Sequence, residues 1–176
     1  NLTTNLFYLY RIKKNKSPNY KTNMLKEGDK APEFGILDQN GKEHLIGDYK
    51  GKKIILYFYP KDMTPGCTVE SCNLRDNHSE LVKKGFVVIG VSADDEERHQ
   101  RFISKYELPF TLLADVDKKV INAYGVWGPK KFMGRTFDGI HRTTFVIDEN
   151  GIIEKVITKV KTKDHTNQIL EELNNN

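Results

Sequence analysis

The sequence predicts a single α/β domain, in which helices pack against a β-sheet. Two continuous apolar runs, residues 54–59 and 86–91, are typical of strands that are buried on both faces. A helical segment separates these two runs, and a strand hairpin and a last helix follow near the C-terminus. This order of elements is typical of α/β packing. A chain of 176 residues is long enough to bury one core of this kind.

The elements can be justified in order along the chain. Two short strands, 33–37 and 42–45, flank Asp38-Gln-Asn-Gly41, which is a hairpin signal. After the strand at 54–59, a loop with Pro and Gly leads to a helix predicted from about 67 to 84. The remaining predictions are a strand at 86–91, a helix that begins with the acidic run 94–97, a strand at 111–114, a short helix at 118–124, a loop at 127–139, strands at 143–147 and 152–160 joined by a turn, and a closing helix at 164–173.

Residues 1–23 differ in composition from the rest of the chain. They are rich in Asn, Lys, Tyr and Leu and lack acidic residues. We predict a poorly ordered basic extension here, which is a tag, a presequence or upstream sequence, and a folded domain over residues 24–176. We expect the protein in the cytoplasm, or in an organelle if residues 1–23 are a natural presequence.

The distribution of charge argues against nucleic acid as a partner. The net charge is +4, but six basic residues and no acidic residue lie within residues 1–26. The rest of the chain holds 22 basic and 24 acidic residues, which are interspersed along it. A phosphate-binding face would require clustered basic residues. No apolar run approaches the ~20 residues of a membrane-spanning helix, so we expect no membrane partner either.

The two cysteines, Cys67 and Cys72, lie within one short stretch. A pair this close cross-links almost nothing, because stabilisation by a disulfide grows with the length of the loop that it closes. Their proximity therefore indicates chemistry between the two thiols. Five histidines are scattered through the chain, and none has ligand spacing with the cysteines, so we expect no metal and no cofactor.

Cys67 is the candidate nucleophile, because it is predicted at the first turn of a helix that follows a buried strand. The free N–H groups and the positive dipole end of a helix favour an anion, and the thiolate is the reactive form of cysteine. Thr64 can supply a hydroxyl to the same pocket, while Pro60 and Pro65 stiffen the loop. Glu70 is expected to stabilise the helix start, with a part in tuning the thiols left open.

The spacing of Cys72 from Cys67 predicts a conformational change. On an ideal helix, five positions correspond to a Cα–Cα separation of roughly 8.5 Å, whereas a disulfide requires about 4.4–6.8 Å. The two sulfurs can therefore bond only if the first turns of the helix unwind. An alternative interpretation is that Cys72 is a buried core residue, since free cysteine is often buried.

The motif around Cys67 resembles that of the peroxiredoxins. Pro60-Lys-Asp-Met-Thr64-Pro-Gly-Cys67 fits their P-x-x-x-T-x-x-C signature. The segment from Cys67 to Cys72 resembles the bacterioferritin comigratory protein, or peroxiredoxin Q, subfamily. The similarity covers the chain from about Leu25 to the C-terminus and includes two further segments, Tyr124-Gly-Val-Trp127 and Arg142-Thr-Thr-Phe-Val-Ile-Asp148.

The resemblance implies a thioredoxin-like fold, with a central mixed β-sheet flanked by helices and an N-terminal β-hairpin. It implies that Cys67 is the peroxidatic cysteine and Cys72 the resolving one. Pro60 would shield the thiolate, and the Thr64 hydroxyl would hydrogen-bond the sulfur and the peroxide. Arg142 would lie beside Cys67, stabilise its thiolate and polarise the departing oxygen, because a guanidinium keeps its charge.

The implied function is a thiol-dependent peroxidase that reduces hydrogen peroxide and organic hydroperoxides. A sulfenic acid on Cys67 would condense with Cys72, and thioredoxin or glutaredoxin would reduce the resulting disulfide. We expect a monomer, because both cysteines lie in one chain. The alternatives are a thiol-disulfide oxidoreductase, although these proteins usually carry C-x-x-C, and a redox sensor whose disulfide alters a binding surface.

Overall fold

The computed structural model describes residues 23–175, so the predicted basic extension lies outside the described residues except for Asn23. The strands are β1 (Gly35–Leu37), β2 (Glu43–Leu45), β3 (Lys53–Phe58), β4 (Phe86–Ser92), β5 (Thr111–Ala114), β6 (Trp127–Phe132), β7 (Arg135–Ile140), β8 (Thr143–Ile147) and β9 (Ile153–Ile157). The helices are α1 (Pro65–Asp76), α2 (His78–Lys83), α3 (Glu96–Tyr106), α4 (Lys119–Ala123) and α5 (His165–Asn174). None of these helices has the length and apolar character needed to cross a bilayer.

Five strands form a central mixed sheet in the order β5-β4-β3-β8-β9. The strands β3, β4 and β5 are parallel, and β8 pairs antiparallel with β3 and with β9. A separate antiparallel hairpin, β1 with β2, precedes this sheet. These observations confirm the predicted fold class, an α/β domain with a mixed sheet and an N-terminal hairpin.

The central strand β3 explains why its sequence is a continuous apolar run. Successive side chains of a strand point to opposite faces of the sheet. The side chains of Ile54, Leu56 and Phe58 pack in one hydrophobic cluster, and those of Ile55 and Tyr57 pack in the cluster on the other face. Because both faces are covered by core side chains, neither face of β3 tolerates polar residues.

The helix predicted from about 67 to 84 is divided into α1 and α2. The break falls at Asn77, whose backbone has φ −107° and ψ 8°. The Asn77 side chain donates to the carbonyl of Asn73 at 2.8 Å. Asparagine competes with the helical backbone for hydrogen bonds in this way, which is why it favours helix ends.

The prediction of a loop at 127–139 is wrong, because this segment forms the β6–β7 hairpin. The turn is made by Met133 and Gly134, which both have positive φ (49° and 75°). Two-residue hairpins with this geometry usually carry Asn-Gly or Asp-Gly, so Met-Gly gave no recognisable turn signal. The exposed faces of both strands also lack the apolar alternation that indicates a strand.

Side chains of the neighbouring strands β3 and β5 pack closely against the backbone of Gly90 in β4. This packing leads to a stability prediction. A Cβ at Gly90 would lie 2.6 Å from the Cδ2 atom of Leu112 and 2.8 Å from the Cζ atom of Tyr57. Gly90→Ala should lower the free energy of unfolding by about 1–3 kcal/mol, because the buried core has no room for a methyl group. Urea unfolding measures this change.

Gly47→Ala is the matched control for this substitution, because a Cβ at Gly47 meets no atom within 4 Å. We expect the Gly47 variant to unfold within about 0.5 kcal/mol of the parent protein. Equal stability of the Gly90 variant and the parent would contradict the close packing of β3, β4 and β5.

Candidate active site

The loop that connects β3 to α1 places Cys67 at the start of a helix. Thr64 is the N-cap residue, with an extended backbone (φ −75°, ψ 151°), and Pro65 begins α1. Proline is favoured at this position because its fixed φ suits a helix and its missing N–H has no helical partner to lose. Cys67 is therefore the third residue of α1. The helix dipole and the free N–H groups of the first turn favour an anionic sulfur there.

The sulfur of Cys67 is buried but lies beside a guanidinium. Cys67 is 1% exposed and packs in the hydrophobic cluster that includes Tyr57 and Tyr59. Nη2 of Arg142 donates a hydrogen bond to Sγ of Cys67 at 3.4 Å. The side chain of Arg142 is 23% exposed, so this side of the sulfur is closer to solvent than the core side. The sulfur therefore lies in apolar surroundings and next to one permanent positive charge.

The register of the sheet explains how Arg142 reaches Cys67. Thr143 pairs with Phe58 in the antiparallel β3–β8 ladder. Arg142 therefore precedes β8 at the sheet edge where β3 ends and the loop to Cys67 begins. Gly66 leaves room for the guanidinium, because a Cβ at this position would lie 3.2 Å from Nη2 of Arg142.

Glu70 is the second side chain that contacts the guanidinium of Arg142. Its carboxylate forms an ion pair with Nη1 of Arg142, and its side chain is 0% exposed. Burial raises the pKa of Glu70 to about 7, against the opposing effect of the Arg142 charge and hydrogen bond. Burial would lower the pKa of Arg142, but the charges of Glu70 and Cys67 outweigh it and raise the pKa. The structure places Glu70 beyond the first turn of α1 and buried against Arg142, so the part in tuning the thiols that the sequence left open fits its position better than stabilisation of the helix start.

His165 lies behind Glu70 and is held as a neutral imidazole. Its Nε2 lies 3.7 Å from Oε1 of Glu70 and accepts the hydroxyl hydrogen of Thr144 at 2.7 Å. Its Nδ1 donates to the amide oxygen of Gln168 at 3.1 Å. Burial lowers the pKa of His165 to about 4, with a smaller contribution from Arg142. A neutral ring with its hydrogen on Nδ1 makes both of these hydrogen bonds.

Cys72 lies in the same unbroken helix as Cys67, and both thiols are free. Cys72 is half-buried, while its neighbours in the helix make contacts on both sides. Ser71 is hydrogen-bonded to the Tyr57 hydroxyl at 3.0 Å, and Asn73 accepts the Thr166 N–H of α5 at 2.8 Å. Both cysteines therefore lie in one intact helix, and their thiols are not bonded to each other.

The structure also locates Thr64 and Pro60. The Thr64 hydroxyl donates its hydrogen to the carbonyl of Lys61 at 2.7 Å, so that hydrogen is not directed to the sulfur here. Pro60 lines a cavity of about 360 Å³ together with Trp127 and Ile140. Trp127 therefore lies close to the loop of the site.

Within residues 23–175, no group of three or more His, Cys, Asp or Glu side chains is placed to hold a metal ion. The groups available for chemistry at this site are a thiol, a guanidinium and a buried carboxyl group. This combination suits nucleophilic attack by sulfur with stabilisation of a departing oxygen.

Comparison with known proteins places this geometry in a family. The profile of the AhpC/TSA family matches residues 27–156. Peroxiredoxin Bcp of Escherichia coli is 51% identical over 148 residues, which cover 84% of this chain and 95% of the relative. Peroxiredoxin Q of Xanthomonas campestris is 31% identical, with a TM-score of 0.75 over 81% of this chain and 90% of that chain.

A second set of X. campestris structures concerns the alkyl peroxide reduction activity of the bacterioferritin comigratory protein, in trapped intermediate and ligand complexes. That chain is 30% identical to this one, with a TM-score of 0.75, and the match covers 81% of this chain and 90% of that chain. The chain thus belongs to the AhpC/TSA family as a peroxiredoxin of the bacterioferritin comigratory protein type, and it is a thiol-dependent peroxidase.

Proposed function

We propose that Cys67 is the peroxidatic cysteine of this peroxidase and that Arg142 is its electrostatic partner. The observation that carries this proposal is the hydrogen bond from Nη2 of Arg142 to Sγ of Cys67, at the first turn of α1. A guanidinium stays charged at any relevant pH, so it stabilises the thiolate without competing for its proton.

In the proposed first step, the Cys67 thiolate attacks one oxygen of the peroxide. An S–O bond forms, the O–O bond breaks, and the departing oxygen takes a proton to leave as water or an alcohol. The sulfur becomes a sulfenic acid. Negative charge develops on the departing oxygen, and the guanidinium of Arg142, which lies beside the sulfur, can stabilise this charge.

In the proposed second step, the Cys72 sulfur attacks the sulfenic acid of Cys67, and water leaves as the disulfide forms. The first turns of α1 must unwind for this step, because an intact helix keeps the two Cα atoms roughly 8.5 Å apart. The partial exposure of Cys72 is consistent with such a movement, since its side chain is not locked in the core.

A dithiol donor then returns the enzyme to its starting state by thiol–disulfide exchange. The family implies a peroxide substrate and a thiol reductant. We propose thioredoxin or glutaredoxin as this reductant, and hydrogen peroxide together with organic hydroperoxides as substrates. We also propose that the protein acts as a monomer, because both cysteines lie in one helix of one chain. The two alternative functions, a disulfide oxidoreductase and a redox sensor, are not favoured by the comparisons.

Pro60 and Thr64 have supporting roles in this proposal. Pro60 would restrict access to the thiolate from the loop side. The Thr64 hydroxyl, which now donates to Lys61, would turn toward the peroxide when the substrate enters. Rotation of a hydroxyl requires no change of the backbone, so this rearrangement is small.

Substitution of each cysteine separates the two proposed steps. Cys67→Ser should abolish peroxide consumption, because the nucleophile is lost. Cys72→Ser should consume one equivalent and stop with one added oxygen on Cys67, since no thiol is available to condense. Peroxide consumption with a dithiol donor and mass spectrometry measure these outcomes. Full turnover by the Cys67 variant would show that another residue is the nucleophile.

Substitution of Arg142 tests the electrostatic part of the proposal. Arg142→Met should slow the oxidation of Cys67 by about 100-fold, since removal of one such donor typically costs this much. Stopped-flow measurement of a single oxidation gives the rate. Arg101→Met is the control, because Arg101 is exposed on α3 and forms an ion pair with Glu97, far from the sulfur in the hydrogen-bond network of residues 23–175. A similar loss of rate in both variants would exclude a specific role for Arg142.

Glu70 and His165 link the stability of the site to pH in opposite directions. The pKa of Glu70 rises from 4.5 to about 7 on folding, so its contribution to stability is full below pH 4.5 and is lost as pH rises through 7. The pKa of His165 falls from 6.5 to about 4, so stability is gained as pH rises through this range. The two slopes therefore offset each other between about pH 4.5 and 6.5.

Glu70→Gln should remove the part of the pH dependence of stability that the titration of Glu70 causes. The free energy of unfolding of the variant minus that of the parent should increase by about 3 kcal/mol between pH 4.5 and a pH above 7. Urea unfolding at several pH values measures this difference, in which the titration of the other groups cancels. A difference that stays constant with pH would mean that Glu70 does not titrate in this range.

A further inference from the structure

A second buried pair of charged side chains, His99 of α3 and Asp62 of the active-site loop, lies outside the sulfur site. Both side chains are 0% exposed, and Nδ1 of His99 lies 2.7 Å from Oδ2 of Asp62. The two residues are 37 positions apart in sequence. Asp62 stands between Pro60 and Thr64, so this pair joins α3 to the segment that leads to Cys67.

The partners of the His99 ring determine where its hydrogens lie. Nε2 faces the backbone carbonyl of Leu113 at 3.1 Å. A carbonyl oxygen can only accept, so Nε2 must carry a hydrogen. Nδ1 faces a carboxyl oxygen at 2.7 Å, a distance that requires a hydrogen between the two atoms. The buried pair therefore holds one proton in addition to the hydrogen on Nε2.

The surroundings of Asp62 favour this proton on the imidazole. Oδ1 of Asp62 accepts the hydroxyl hydrogen of Tyr59 at 2.5 Å. Burial and the nearby charge of Asp62 raise the pKa of Tyr59 well above its usual value, so Tyr59 remains a donor. An ionised carboxylate is the better acceptor of two such bonds, and imidazole is the stronger base of the pair in water.

The loop is held at Asp62 by three other parts of the molecule. Besides His99 and Tyr59, the N–H of Asp62 donates to Oδ2 of Asp94 at 2.8 Å, at the end of β4. Ser92 donates to the same oxygen at 2.7 Å, and Arg98 pairs with the other oxygen of Asp94.

The residue after Asp62 is Met63, which has a positive φ of 61°. A non-glycine residue keeps such a conformation only where its surroundings enforce it. The fixed turn at Met63 sets the direction in which Thr64 and the first turn of α1 leave the loop. The position of the Cys67 sulfur beside Arg142 therefore depends on the anchor at Asp62.

We propose that His99 is an imidazolium, with hydrogen on both ring nitrogens, and that its buried ion pair with Asp62 positions the active-site loop for the reaction of Cys67. Both are positioning residues, since neither contacts the sulfur in the hydrogen-bond network. The proposal rests on the proposed role of Cys67. It adds that the rate of Cys67 oxidation depends on a charge pair located on a different helix.

The protonation state can be tested on the unmodified protein. Long-range nitrogen–proton NMR correlation at pH 7 distinguishes a ring with two N–H groups from a ring with one bare nitrogen. We expect two N–H groups on His99, whose ring signals are assigned by connecting them to the backbone resonances of the same residue in the unmodified protein. A bare Nδ1 or Nε2 on His99 would overturn the proposal. This measurement does not depend on whether any variant folds.

The positioning role requires a kinetic test. His99→Gln should slow single-turnover oxidation of Cys67 at least tenfold, and the thiolate fraction of Cys67 at neutral pH should fall, because a misplacement of about 1 Å can cost about 100-fold in rate. Asp62→Asn should act in the same direction.

His44→Gln is the matched control, because His44 forms another buried pair, with Asp38 at 2.8 Å in the N-terminal hairpin. It should lower stability and leave the oxidation rate unchanged. If His99→Gln lowers only the stability, with an unchanged rate and thiolate fraction, the positioning role is excluded. Retention of peroxide turnover by Cys67→Ser would instead refute the proposed function, and the two failures are therefore distinguishable.

Discussion

The permanent positive charge of Arg142, enclosed between Cys67 and Glu70, is the constraint on which the rest of the site depends. The side chains of Cys67 and Glu70 lie about one turn apart on α1, and each contacts one of the two terminal nitrogens of the guanidinium. The planar fork of arginine presents separate donors to the two partners in a fixed geometry, whereas the ammonium group of a lysine is one compact charge on a flexible stem. Without this charge, burial of a carboxylate and a thiolate next to each other would be costly.

Glu70 and the Cys67 sulfur also share the positive charge of Arg142. Because the pKa of Glu70 is raised to about 7, its carboxyl group is close to half ionised at neutral pH. An ionised Glu70 partly neutralises the positive charge of Arg142 near the sulfur, whereas a protonated Glu70 does not. His165 stays neutral through this range, since its pKa is lowered to about 4. Cys67 therefore shares its guanidinium with a buried carboxyl group on its own helix.

The sequence predicts the features of this protein that depend on local patterns. The buried strand β3, the loop after it and the position of Cys67 in the first turn of a helix all follow from residues that are close in the chain. The β6–β7 hairpin was missed because Met133-Gly134 adopts a turn that other residue pairs usually make. The break at Asn77 depends on one side-chain hydrogen bond within an otherwise helical pattern.

The contacts that define the site join residues that are far apart in the chain, and no local pattern indicates them. Arg142 lies 75 positions from Cys67, and only the resemblance to a family suggested their proximity. No property of its own segment showed that Glu70 would be buried, because a carboxylate near a helix start is usually exposed. His99 and Asp62 were likewise unrelated in the sequence, and only the register of β3, β4 and β5 brings their elements together.

One anchor before α1 and one within its last turns restrict where the helix can unwind for the proposed disulfide. On the loop side, Asp62 is held by His99, Tyr59 and Asp94. On the other side, Asn73 is hydrogen-bonded to the start of α5. A rearrangement that keeps both anchors must occur between them, and this segment contains Glu70.

Unwinding of this segment would withdraw Glu70 from Arg142 at the moment when the Cys67 sulfur no longer carries a negative charge. The loss of both anionic partners would leave the guanidinium, which is already 23% exposed, to be satisfied by water. Oxidation of the sulfur would thus remove one of the two contacts through which Arg142 holds the intact helix. Re-formation of the thiolate on reduction would restore the contact and favour refolding of α1.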